Sequence, residues 1–154
     1  MKTLLKAVPC VLIDIDTEPK ILCFFEYPHI EGFQIPKGTV EENEELTTAV
    51  LRELFEETGI KNVTIKEKIG TLERICASVQ EQELEDELQI WHLYHIEPKD
   101  TLKSTWEHIG TGNGVDNGLK VKCFWQALNS IDKNKHNEVF IRCFDMIDHY
   151  LKNK

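Results

Sequence analysis

Three carboxylates close one short segment of this chain. Residues 38 to 60 read GTVEENEELTTAVLRELFEETGI. Read as a helix, the segment puts Glu53, Glu56 and Glu57 at i, i+3 and i+4, on one face and about 5–6 Å apart at Cβ. Unpaired, they repel. They also sit in the last turns, where the helix dipole already disfavours negative charge. Solubility gains nothing from this placement. Holding a divalent cation requires it, because hard cations such as Mg²⁺ take oxygen ligands. Arg52, always charged and able to bond a carboxylate with two parallel N–H groups, is suited to keeping such a cluster in shape. Gly38 lets backbone approach an ion where a side chain would block it.

The segment matches the pattern G-x5-E-x7-R-E-U-x-E-E-x-G-U, with U apolar, at every specified position: Gly38, Glu44, Arg52, Glu53, Leu54, Glu56, Glu57, Gly59 and Ile60. At average residue frequencies a chance match in one chain is rarer than about one in a million. On these residues the chain resembles the Nudix hydrolases. The resemblance implies an α/β (α+β) fold, an α/β/α sandwich around a mixed sheet, and a single domain over residues 1–154. It implies hydrolysis of a phosphoanhydride in a nucleoside diphosphate linked to another group, with Mg²⁺ or Mn²⁺ assisting. Such ions neutralise phosphate charge, orient the phosphates and activate water. By the same resemblance Glu56 and Glu57 bind metal, Glu53 joins them or acts as base, Arg52 and Glu44 pair to brace the loop, and Gly38 offers its carbonyl to metal.

Around the box several roles stay open. Lys37, in Ile35-Pro36-Lys37-Gly38, is either a phosphate contact or an exposed side chain. In the family a lysine there is frequent among enzymes acting on dinucleoside polyphosphates, which makes that activity the alternative reading. A non-catalytic nucleotide-binding module on the same fold is a further one, disfavoured because no box carboxylate is missing. Glu107 and Asp116 stand beside Glu53 as candidate general bases. Trp91, Trp106, Trp125 and Tyr94 could stack on a base, although large aromatics on strands are more often core.

The elements that must position these groups follow from pattern. Residues 7–15 and 21–26 are apolar and β-branched or aromatic, joined by a turn-like TEPK, and predict two strands. A short strand from Phe33 to Ile35 enters the Pro36–Gly38 loop. The helix is expected to start at Asn43 as N-cap, with Glu44 and Glu45 in its first turn, and to end at a C′ glycine, Gly59. Val50, Leu51, Leu54 and Phe55 form its expected apolar stripe, to one side of the carboxylates. Strands are expected over 62–75, 88–96 and 119–128. Residues 81–87 read as an acidic solvated loop or hairpin tip, and 108–118 as a Gly/Asn loop. Residues 138–152 have the spacing of a closing amphipathic helix.

Composition sets the remaining limits. The chain has 154 residues and a net charge of −9, which argues against a stable grip on nucleic acid but not against a small polyanion carried with metal. Its five cysteines form no C-x-x-C pair and read as reduced thiols of a cytoplasmic protein. No apolar run approaches the roughly 20 residues of a membrane helix. The expected partner is a small nucleotide, and a homodimer is open.

Overall fold

A computed structural model describes residues 1–80, 83–112 and 118–154, with backbone alone at 78–80 and 83–85. The chain runs β1 (Lys2–Ile13), β2 (Lys20–Glu26), β3 (His29–Gln34), β4 (Gly38–Thr39), α1 (Leu46–Thr58), β5 (Val63–Gln80), β6 (Glu83–Pro98), β7 (Thr105–Ile109), β8 (Lys120–Ala127) and α2 (Glu138–Lys152). The sheet order is β5-β6-β1-β2-β8-β7, with β4 on β1 and β3 on β2. β1 and β6 are parallel, Lys6 opposite Trp91, and the other pairs are antiparallel.

β1 shows why the sheet is covered on both sides. Ala7 and Val11 enter a core cluster with Ala49, Val50 and Leu54 of α1. Val8, Cys10 and Leu12 enter another with Phe140, Cys143, Phe144 and Ile147 of α2. Successive side chains on a strand point to opposite faces, so one apolar strand serves both helices. The result is a mixed α+β sandwich, helix on sheet on helix. The five cysteines are all free thiols. Burial pushes the Cys123 and Cys143 thiols up to about 12, which leaves them protonated and unreactive.

The local structure departs from pattern at four places. The first is the start of α1. Asn43 is not its N-cap; it turns through a left-handed conformation (φ 63°), and the helix begins at Leu46 with Glu45 as an N-cap that makes no side-chain bond. Glu44 and Glu45 therefore precede the first turn. The reason is Arg52, which binds Glu44. Eight residues along a continuous helix span about 12 Å, too far for that bond, so the chain must fold back before the helix starts.

The second is the apolar stripe. Val50 and Leu54 are buried as expected, but Leu51 and Phe55 are 42% and 45% exposed. Their inward places are taken by Glu53 and Glu57, 9% and 4% exposed. The third is the hairpin of β5 and β6, which extends pairing out to Gln80 and Glu83. Residues 83–87 of the acidic run are thus strand; 81 and 82 lie outside the described residues. The fourth is β7, in a stretch where no strand is expected. No helix among the described residues is long and apolar enough to cross a membrane.

α2 is tied to the sheet by a hydrogen-bonded relay that runs from buried His95 to exposed Glu67. Tyr150 donates its hydroxyl to Glu67 at 2.6 Å, so its oxygen accepts from His95 Nδ1–H at 2.7 Å. His95 is 1% exposed, and burial, then the Lys154 charge, holds its pKa below the ordinary 6.5. A depressed histidine contributes stability above the unfolded-state value and loses it as pH falls through that value. The melting temperature is expected to drop as pH falls below about 6.5 towards the lower folded-state value, and His95→Gln to flatten the slope. Equal slopes in both proteins would show that His95 does not titrate on unfolding.

Candidate active site

Arg52 organises the site. Its Nε and Nη2 donate to Glu44 at 2.8 and 2.9 Å. Nη1 donates to Glu53 at 2.8 Å and to Glu56 at 3.2 Å, and Nη2 also reaches the Thr39 carbonyl at 3.0 Å. A guanidinium has five N–H bonds, and these contacts use all of them. One side chain thereby joins α1, the turn before it and β4. Hydrogen bonding to Arg52 pulls the Glu44 carboxyl below its ordinary range. Glu44 and Glu53 raise the guanidinium's own pKa, mostly through the Glu44 hydrogen bond.

Glu53 differs from Glu44. Burial raises its pKa, and the Arg52 charge only partly opposes this. A carboxylate shifted towards neutral pH is suited to taking a proton. Its space exists because residue 38 is glycine: a Cβ there would overlap the Glu53 carboxylate. Glu57 accepts from the Lys37 N–H at 3.1 Å, so the backbone before Gly38 contacts a helix acid while the Thr39 carbonyl after it meets Arg52.

The end of α1 is held by β7 and the residues after it. Trp106 Nε1 donates to the Thr58 carbonyl at 2.9 Å, and His108 Nε2 and the Thr111 N–H both reach the Glu56 carbonyl, at 3.0 and 3.1 Å. Gly59 closes the helix at φ 82°. Gly112 lies over Glu56, where a Cβ would come within 2.6 Å of the carboxyl carbon. Helix-end carbonyls need donors, and here a neighbouring strand supplies them beside the clustered acids.

The structure thus brings together Gly38, Glu44, Arg52, Glu53, Glu56 and Glu57, with Lys37 beside them. Glu107 is elsewhere engaged: Lys120 pairs with it at 3.0 Å, Tyr27 donates to it at 3.3 Å, and Lys120 holds its pKa low. Asp116 lies outside the described residues, as does the rest of 113–117 in the Gly/Asn loop. Trp91 is 1% and Tyr94 9% exposed, and both belong to the core; Trp106 and Trp125 donate to backbone carbonyls. Lys6 is a residue that pattern did not single out. Its ammonium donates to Thr39 Oγ1 at 2.6 Å, and its electrostatic neighbours include Lys37, Glu53 and Glu57. The available signal was a lysine inside an apolar strand, in phase with the inward Val8, Cys10 and Leu12.

A family model, the NUDIX domain, matches residues 3–142. The chain belongs to the Nudix family. It is a Nudix-type hydrolase, a class that acts on phosphorus-containing anhydrides, and Nudix enzymes generally use divalent metals. No curated protein sequence matches it. Solved structures do. A MutT Nudix hydrolase from Burkholderia pseudomallei aligns at TM-score 0.62 and 16% identity, over 96% of this chain and 99% of that one. A C. elegans Ap4A hydrolase binary complex aligns at TM-score 0.65 and 16% identity, over 98% and 99%. The Nudix domain of Shewanella oneidensis NrtR, complexed with ADP ribose, aligns at 0.59 and 15%, over 98% and 90%. At these identities the likeness is one of fold.

Among the described residues no three acidic, histidine or cysteine side chains converge as a ready metal cage. Arg52 explains this, since its guanidinium draws Glu53 and Glu56 to itself and neutralises them. The donors still suit a hard divalent ion: three carboxylates on one Nudix helix, and a backbone carbonyl at a residue with no side chain to obstruct it. A cavity of about 500 Å³ between β5 and α2, lined by Arg74, Asn137 and Arg142 among others, contains no box residue.

Proposed function

We propose that this chain, acting as one domain, hydrolyses a phosphoanhydride bond in a nucleoside diphosphate linked to another group, with Mg²⁺ or Mn²⁺. The observation that carries this reading is the saturated Arg52, which gathers Glu44, Glu53 and Glu56 next to Glu57 and the Gly38 backbone. Glu53, Glu56, Glu57 and the Gly38 carbonyl would hold the metal, which when bound neutralises phosphate charge and activates water.

The chain's own groups have separable tasks. Glu44 and Thr39 hold the guanidinium, and the guanidinium keeps the acids aligned. Glu53, with its carboxyl raised by burial, is the favoured general base, because Glu107 is committed to Lys120 and Tyr27. Lys37 meets phosphate. Its ammonium is held by Gln34 Oε1 at 3.0 Å and lies 5.7 Å from the Phe140 ring centre, which fixes a point charge at the residue that leads into Gly38. That lysine favours a second reading, a dinucleoside polyphosphate hydrolase, and the C. elegans fold relative is named as an Ap4A hydrolase.

A phosphate-release panel tests both. Nucleoside triphosphates, nucleotide sugars, ADP-ribose and dinucleoside polyphosphates would be incubated with Mg²⁺ or Mn²⁺ and coupling phosphatases. Turnover of one group is expected, abolished by EDTA and restored by added metal. Turnover that persists in EDTA would refute the metal assignment, and no turnover of any group would refute the hydrolase reading for nucleotides.

A further inference from the structure

Lys37, which precedes the box, is close enough to Lys6 to be among the charges that bear on it. β1 pairs with β4 so that Lys6 faces Thr39 and Ala7 faces Gly38. The Lys6 ammonium donates to Thr39 Oγ1 and the Lys37 ammonium to Gln34 Oε1, both neutral oxygens. The Lys6 backbone is held in a strand pair, and the Lys37 ammonium lies 5.7 Å from the Phe140 ring centre. The charges that bear on Lys6 are Lys37, Glu87, Glu53 and Glu57. Burial, then Lys37, holds its pKa below that of an ordinary lysine.

Two half-buried ammoniums at one rim repel each other. In the apo site Glu87 and the box acids offset them. Once the box acids are engaged by divalent cations, Glu87 remains beside Lys6 but the rim becomes more positive. The occupant that balances it must bring more negative charge than the phosphates on the metals supply. A diphosphate linkage offers two phosphates. A third would have no place at the carboxylates and would fall to the lysines.

We propose that Lys6 and Lys37 form a two-ammonium clamp for a third phosphate, so that the site selects tri- and polyphosphate substrates over diphosphates. This rests on the hydrolase reading, in which the acids and their metals take the scissile anhydride. It adds Lys6 as a specificity determinant and predicts that chain length, rather than the nucleoside, governs affinity.

Inorganic triphosphate and pyrophosphate isolate the phosphate count from the nucleoside. Their affinities for the full chain would be measured by calorimetry in saturating Mg²⁺, for wild type, Lys6→Met, Lys6→Arg and Lys37→Met. Wild type is expected to bind triphosphate at least about tenfold more tightly than pyrophosphate, the scale of one charge-assisted contact. Lys6→Met should lose about tenfold for triphosphate and less than about threefold for pyrophosphate, and Lys6→Arg should keep the preference. Lys37→Met gives a second route to the same loss if Lys6→Met does not fold. Equal losses for both anions, or a wild type without the preference or without binding, would overturn the clamp. A retained preference in a protein that turns over nothing on the nucleotide panel would leave the clamp and remove the hydrolase reading instead.

Discussion

Glu57→Gln is expected to lower turnover at least about 100-fold, since a metal ligand supports several kcal/mol of transition-state stabilisation. The fold should survive. Glu57 is 4% exposed; it accepts the Lys37 N–H at 3.1 Å and is among the charges that bear on Lys6. A glutamine oxygen can accept the same bond without a buried negative charge to desolvate. The melting temperature in EDTA should therefore match or slightly exceed that of wild type. The two readouts separate the cases. Inactivity with an unchanged melting curve assigns Glu57 to the chemistry. Full activity would remove it from the metal set, and joint loss of activity and fold would make its role structural.

Arg52→Ala should act in the opposite order, on stability first. The substitution removes every partner of the five-donor array and leaves Glu44, Glu53 and Glu56 facing one another. Breaking a buried charge pair from one side costs about 3–5 kcal/mol. The Arg52 side chain is 23% exposed, which screens part of that. A loss of about 2–3 kcal/mol is expected, or about 5–10 °C for a chain of this size. The metal concentration giving half-maximal rate should rise as well, because the carboxylates lose their common anchor. Arg52→Lys should rescue little of either effect, since an ammonium lacks the planar fork. Thermal melts and a Mg²⁺ titration check both parts. If neither moves, Arg52 does not brace the cluster.

The box residues were legible without a structure because their relations are local. A helix period alone puts Glu53, Glu56 and Glu57 on one face, and Gly59 ends that helix with the left-handed φ that glycine permits. The closing helix over 138–152 was equally readable from its apolar spacing. The start of α1 was not. Asn43 and two following acids form a good local capping signal, yet the bond from Arg52 to Glu44 outweighs it and shortens the helix. The same competition inverted the stripe. Hydrophobicity would turn Leu51 and Phe55 inward, but Glu53 and Glu57 must reach β4, and rotating the helix to place them leaves the two apolar residues exposed.

By itself the sequence determined the reaction class, the helix that carries the acids, and the presence of an arginine able to brace them. Those depend on residue types at fixed short spacings, which the backbone converts directly into shared faces. Tertiary structure alone decided that Lys6 joins Lys37, that Glu107 is committed to Lys120, and that Trp106 and His108 hold the helix end. Each of these is a contact between segments brought together by strand register and sheet order. Such pairings are set by packing over the whole fold, and no local pattern encodes them.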